Sequence, residues 1–76
     1  DGKNDFFEIK GLEEYAPANI VIFNRWNQEV YSSKNYQNDW NGSNNKGKEL
    51  VDDTYFYILT LSNKESHQGY IILKRN

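Results

Sequence analysis

The chain of 76 residues has no cysteine, no methionine, one proline and one histidine. Without cysteine no disulfide can staple the fold and no thiol nucleophile can be built. His67 has no second histidine to work with, so the composition supports no nucleophile–base pair. Basic charge is scarce too: 9 Lys and Arg stand against 11 Asp and Glu, for a net charge of −2. Apart from the terminal Lys74-Arg75 pair the cations are dispersed, which argues against the basic stripe of a nucleic-acid binder. No apolar run approaches the roughly 20 residues of a membrane helix, so direct membrane insertion is not expected. The 5 glycines are scattered as turn formers and make no phosphate-cradling loop.

Carboxylates are present, but Asp39, Glu49, Asp52 and Asp53 fall in turn-rich stretches. Paired-carboxylate chemistry needs a cleft that fixes their separation, and a chain this short offers little concavity. They read as solvated turn residues. Asp1, Gly2, Asn4, Asp5 and Glu8 resemble the middle of an oxygen-ligand calcium loop, with Gly2 and Glu8 at the spacing of its sixth and twelfth positions. The upstream ligands are missing, and Phe6-Phe7 reads as strand, so a structural Asx-type turn is the expectation there. The chain is read as non-catalytic, with no cofactor and no metal site.

Aromatic residues are what the chain has in quantity, at 16%. A domain this small buries only about 60% of its unfolded surface, and large aromatic side chains are one way to fill such a core. The stretch 19–31 organises the rest. Ile20 and Ile22 share one strand face, Val21 and Phe23 the other, and both faces read as buried. A polar turn follows, with Asn27 as the residue most suited to positive φ, and then a second strand with Val30 and Tyr31. Arg25 beside Trp26 offers a cation–π contact, worth about 0.5–1 kcal/mol when exposed.

Upstream, a turn cluster at 1–5 feeds a short strand at 6–9, and Leu12 to Tyr15 can form a helical turn that Pro17 keeps short. Downstream, 32–49 is a polar tract interrupted by Tyr36 and Trp40, which suggests a loop packed on the body. Asn41-Gly42 is a strong turn signal within it. Residues 54–62 form the clearest strand, with Tyr55, Tyr57, Leu59 and Leu61 on one face; 63–67 reads as a hairpin loop and 69–74 as the last strand. Short strands with regular turn signals predict an all-β domain, a small immunoglobulin-like antiparallel β-sandwich of roughly 6–7 strands.

Two binding surfaces are conceivable. Trp26, Tyr31, Tyr36, Trp40 and Tyr70 could line a sugar platform, although core and loop-anchor roles are the commoner use of such residues. The last strand, if it lies at a sheet edge, offers unpaired backbone groups to another chain, with Lys74 and Arg75 giving it a positive end.

Five motifs in one order resemble a known family. They are Asp1-Gly2-Lys3-Asn4-Asp5-Phe6-Phe7; Ile22-Phe23-Asn24-Arg25-Trp26 with Val30-Tyr31; Tyr36-Gln37-Asn38-Asp39-Trp40-Asn41-Gly42; Thr54-Tyr55-Phe56-Tyr57; and Gly69-Tyr70-Ile71-Ile72-Leu73-Lys74-Arg75. Together they are similar to the gliding motility-associated C-terminal domain, the type B sorting module of the Bacteroidota type IX secretion system. The chain departs from the family pattern with Asn27 and Asp53 in place of glycine and Asn41 in place of aspartate.

The resemblance implies a non-catalytic C-terminal signal on a large cargo protein. The cargo would cross the periplasm, and the outer-membrane translocon, with a dedicated outer-membrane partner protein, would recognise the signal for secretion or surface display. It also implies that Asn24, Arg25, Trp26, Trp40, Gly42, Gly69, Lys74 and Arg75 bear the motif. Asp1 opens the sequence without methionine, and 1–76 is expected to be one C-terminal domain of a larger protein whose cargo region lies N-terminal. The rival expectation is an extracellular adhesion or carbohydrate-binding module.

Overall fold

The computed structural model of the chain describes residues 9–74. Leu12–Tyr15 forms a single 3-10 turn, entered by Gly11 at φ 78° and left by Ala16 in an extended conformation. Four strands follow: Asn19–Phe23 (β1), Glu29–Ser33 (β2), Asp53–Thr60 (β3) and Ser66–Leu73 (β4). They make one antiparallel sheet in the order β2-β1-β3-β4. The all-β expectation is met. The expected 6–7 strands are not reached among the described residues, which hold these four strands and an isolated Ser43–Glu49 bridge. The expected strand at 6–9 and the candidate calcium turn at 1–8 lie outside the described residues, apart from Ile9.

One face of the sheet carries the core. Ile20 and Ile22 of β1 are fully buried, and Tyr55 and Leu59 of β3 lie beside them. Leu12, Ala18, Tyr36 and Trp40 close over this face as a second layer of turns and loop. Each fully buried aliphatic side chain here contributes about 1.5–3 kcal/mol. The outer face differs from expectation. Val21 and Phe23 are only half-buried, and Phe56 and Ile58 are exposed. The polar tract after β2 crosses the inner face, and no described residue covers the outer one.

Three hairpin loops share one construction, a type I turn closed by a left-handed bulge residue. In residues 24–28 the Asn24 amide donates to Gln28 O and the Asn27 amide to Asn24 O, each at 3.0 Å. Residues 44–48 and 61–65 repeat both bonds at 2.8–2.9 Å. The left-handed position is Asn27 (φ 64°), Gly47 (φ 84°) and Lys64 (φ 75°), in chain order. Asn27 therefore takes the conformation expected of it. The loop expected at 63–67 is shifted: the turn closes at 61–65, so Ser66 and His67 already belong to β4, with His67 opposite Leu59.

The shared geometry gives substitutions of opposite sign. A non-glycine residue in the left-handed region costs about 1–2 kcal/mol, offset in part by the greater unfolded-state freedom of glycine. Lys64→Gly is expected to stabilise by about 0.5–1 kcal/mol, whereas Gly47→Ala destabilises by about 1 kcal/mol. Urea unfolding of the two variants checks the pair, and equal signs would refute the common construction.

Candidate functional site

The motif-bearing positions fall into three places. The first is the loop joining β1 to β2. Asn24 shapes it from within: its Oδ1 accepts the Trp26 and Gln28 amides at 2.9 and 3.0 Å, and its Nδ2 donates to Gln28 Oε1 at 2.9 Å. Arg25 then reaches out of the loop to the start of β3. Its Nε donates to Asp53 Oδ2 at 2.9 Å and its Nη2 to Asp53 Oδ1 at 2.6 Å, a two-pronged pair. Asp53 Oδ1 also accepts the Thr54 amide at 2.8 Å.

Each partner shifts the other, chiefly through this hydrogen bonding: the Asp53 carboxyl is held below the usual carboxylate range and the Arg25 guanidinium is pushed up. The guanidinium also lies 5.5 Å from the Trp26 ring centroid, the cation–π contact expected from the sequence. Trp26 itself is 69% exposed. Asp53 pairs with Leu73 in the sheet register, so Lys74 leaves β4 at the same end as Arg25 and Trp26. Arg75 lies outside the described residues.

The second place is the layer over the core. Trp40 is 2% exposed. Its amide donates to Tyr36 Oη at 3.0 Å, and its indole N–H donates to Ser43 O at 2.7 Å. Its ring lies 6.2 Å from Tyr31 and 6.1 Å, edge-on, from Tyr55. Gly42, at φ 98°, turns the chain behind it and accepts the Leu50 amide at 2.8 Å. Asn38, in the left-handed region, brackets Ile9 by accepting its amide at 2.7 Å and donating to its carbonyl at 3.3 Å. With Tyr36 and Trp40 buried, a sugar platform of all five aromatics does not exist.

The third place is Gly69, in the middle of β4 opposite Tyr57. A Cβ at Gly69 would meet Tyr57 Oη at 2.6 Å and two ring carbons at 2.8 Å. The glycine is there because the tyrosine ring lies across it.

Sequence reasoning missed Asp53 as the partner of Arg25. The signal was an aspartate where the resembled family has glycine, but 28 residues separate the pair. It also missed Asn44 and Asn45. Asn44 repeats the part of Asn24 by accepting the Lys46 and Lys48 amides, and Asn45 bonds to both backbone groups of Ser32.

Two expectations follow. Burial raises the Tyr36 hydroxyl pKa, and burial, then Asp39, raises that of Tyr31. The folded chain thus keeps phenol protons that the unfolded chain releases above about pH 10. Stability is full below that pH and falls as pH rises above it. Tyr36→Phe makes that alkaline decline shallower. At neutral pH it costs about 1–3 kcal/mol, because the Trp40 amide loses its acceptor; urea melts between neutral and alkaline pH read both effects. Gly69→Ala is expected to cost about 1–3 kcal/mol by overpacking, and much less in a Tyr57→Leu background. Equal costs in both backgrounds would rule out the ring contact.

Comparison with known proteins adds one finding. A family model described as the CHU_C type IX secretion signal domain matches residues 1–73. No curated protein and no solved structure matches the chain. Signal domains of this family are in general non-catalytic. With nearly the whole chain matched, this protein belongs to the type IX secretion signal domain family and serves as the sorting signal that sends a cargo protein through type IX secretion.

Proposed function

We propose that the domain is read as a folded module through the end of the sheet that carries Arg25, Trp26 and Lys74. The outer-membrane translocon and a dedicated outer-membrane partner protein make that contact. The cargo lies N-terminal on the same polypeptide, folds in the periplasm and is released to the surface or the medium. Residues 1–76 act as one C-terminal domain in this scheme. The sheet is one layer of an immunoglobulin-like sandwich, with the Tyr36 and Trp40 layer standing where a second sheet would lie.

One observation carries the reading. The chain has two tryptophans, and the fold buries one while the other stands 69% exposed at a hairpin apex. An exposed indole adds little to stability, yet Trp is among the residue types that dominate recognition surfaces. The apex is also braced: Asn24 fixes the turn and the Arg25–Asp53 fork ties it to β3. Trp40, Gly42 and Gly69 act differently, by holding the sheet and its cover in shape.

The test is a periplasm-targeted fluorescent reporter fused to the domain in a cell with a type IX system. Trp26→Ala is expected to lower urea stability by no more than about 1 kcal/mol, the worth of its exposed cation–π contact with Arg25, while the reporter stays in the periplasm. Export equal to that of the parent domain would move recognition away from this end.

A further inference from the structure

We propose that Asp53 is a positioning residue for recognition, one that orders the exposed Trp26 indole by gripping Arg25. The inference deepens the reading of Trp26 as the displayed side chain and rests on it.

The backbone and the side chain of Trp26 are held by different groups. Asn24 Oδ1 accepts the Trp26 amide at 2.9 Å, which fixes the residue in the turn but leaves its side-chain torsions open. The indole is too exposed for packing to choose a rotamer. What lies over it is the Arg25 guanidinium, 5.5 Å from the ring centroid. Among the described residues no second cation and no other aromatic ring pairs with it.

A guanidinium on a long, flexible stem braces nothing unless its own plane is fixed. Asp53 fixes it. Its Oδ2 accepts Arg25 Nε–H at 2.9 Å and its Oδ1 accepts Nη2–H at 2.6 Å. Two parallel bonds set a plane where one would let it swivel. The carboxylate is anchored in turn: Oδ1 also accepts the Thr54 amide at 2.8 Å, and the Asp53 side chain is 16% exposed against 58% for Arg25. Most surface ion pairs contribute little, and two-pronged geometry is the exception. The indole is thereby offered in one orientation. An anchor ordered in advance loses less side-chain freedom on binding than a loose one, and that difference appears as affinity.

Asp53→Asn tests this with little change of shape. The asparagine oxygen can still accept the Thr54 amide, but its NH2 group meets the N–H donors of Arg25, so the fork opens. Fluorotryptophan labelling gives two fluorine NMR resonances, one for each tryptophan of the chain. Asp53→Asn is expected to move the Trp26 resonance towards its unfolded-chain position and to leave that of buried Trp40 in place. A general loosening of the fold would move both. Arg25→Gln is expected to act in the same way. In the reporter assay each variant is expected to lower export several-fold, and the double variant no further, because either change opens the same fork. An unmoved Trp26 resonance in Asp53→Asn overturns the proposal. Full export of Asp53→Asn, with Trp26→Ala still held in the periplasm, also overturns it and leaves Trp26 recognised without positioning. Full export of Trp26→Ala is the separate outcome that removes the reading itself, and this inference with it.

Discussion

The tract between β2 and β3 is the most polar part of the chain, and Trp40 gives it a reason to return over the sheet. The indole is buried against Tyr31 and Tyr55, its N–H is satisfied by Ser43 O, and its amide is satisfied by the Tyr36 hydroxyl. Removing a buried tryptophan side chain typically costs about 3–5 kcal/mol. At about 0.05–0.15 kcal/mol per residue, the whole domain is stabilised by an amount of similar order. One side chain thus stands between a covered inner face and an exposed one. Tyr36, Gly42 and Asn38 serve the same closure by holding the tract that carries the indole.

That closure is one-sided. The inner face and the β2 edge are sealed by the chain's own loops, and Asn45 does for the edge what Trp40 does for the face. The outer face and the β4 edge have no such cover among the described residues. On that side Tyr70, Ile72 and Phe56 leave apolar surface in contact with water. Keeping them apolar makes sense for a module whose work is to be recognised by other surfaces.

Much of this was legible in the sequence, for definable reasons. β1 and β3 announce themselves through dense β-branched and aromatic residues, and Asn27 could be assigned to the left-handed region because few other residues tolerate it. Trp40 stood out as an anchor because it is a large aromatic in a polar tract. The open outer face was not legible. Val21 and Phe23 are as apolar as Ile20 and Ile22, and alternation cannot tell a face that is covered from one that is kept for a partner. The start of β4 was hidden because Ser66, His67 and Gln68 have weak strand preference of their own; they extend because β3 lies alongside to pair with them. The Arg25–Asp53 fork was hidden by distance along the chain, since only the sheet register brings the two together.

That register dependence bears on how a sorting signal can report its own folding. Trp26 is displayed by a loop that Asn24 can shape locally, but its neighbour Arg25 is held only when Asp53 occupies the first position of β3. β3 reaches that position by pairing with β1 on one side and β4 on the other. Within this short motif Asn24, Arg25 and Asn27 shape and brace the loop around the displayed Trp26. The braced tryptophan therefore exists as a surface only after the sheet has assembled, and an unfolded chain with the same residues would present a loose side chain instead. On the proposed role of Trp26, the address is tied to the folded state by the physics of strand pairing.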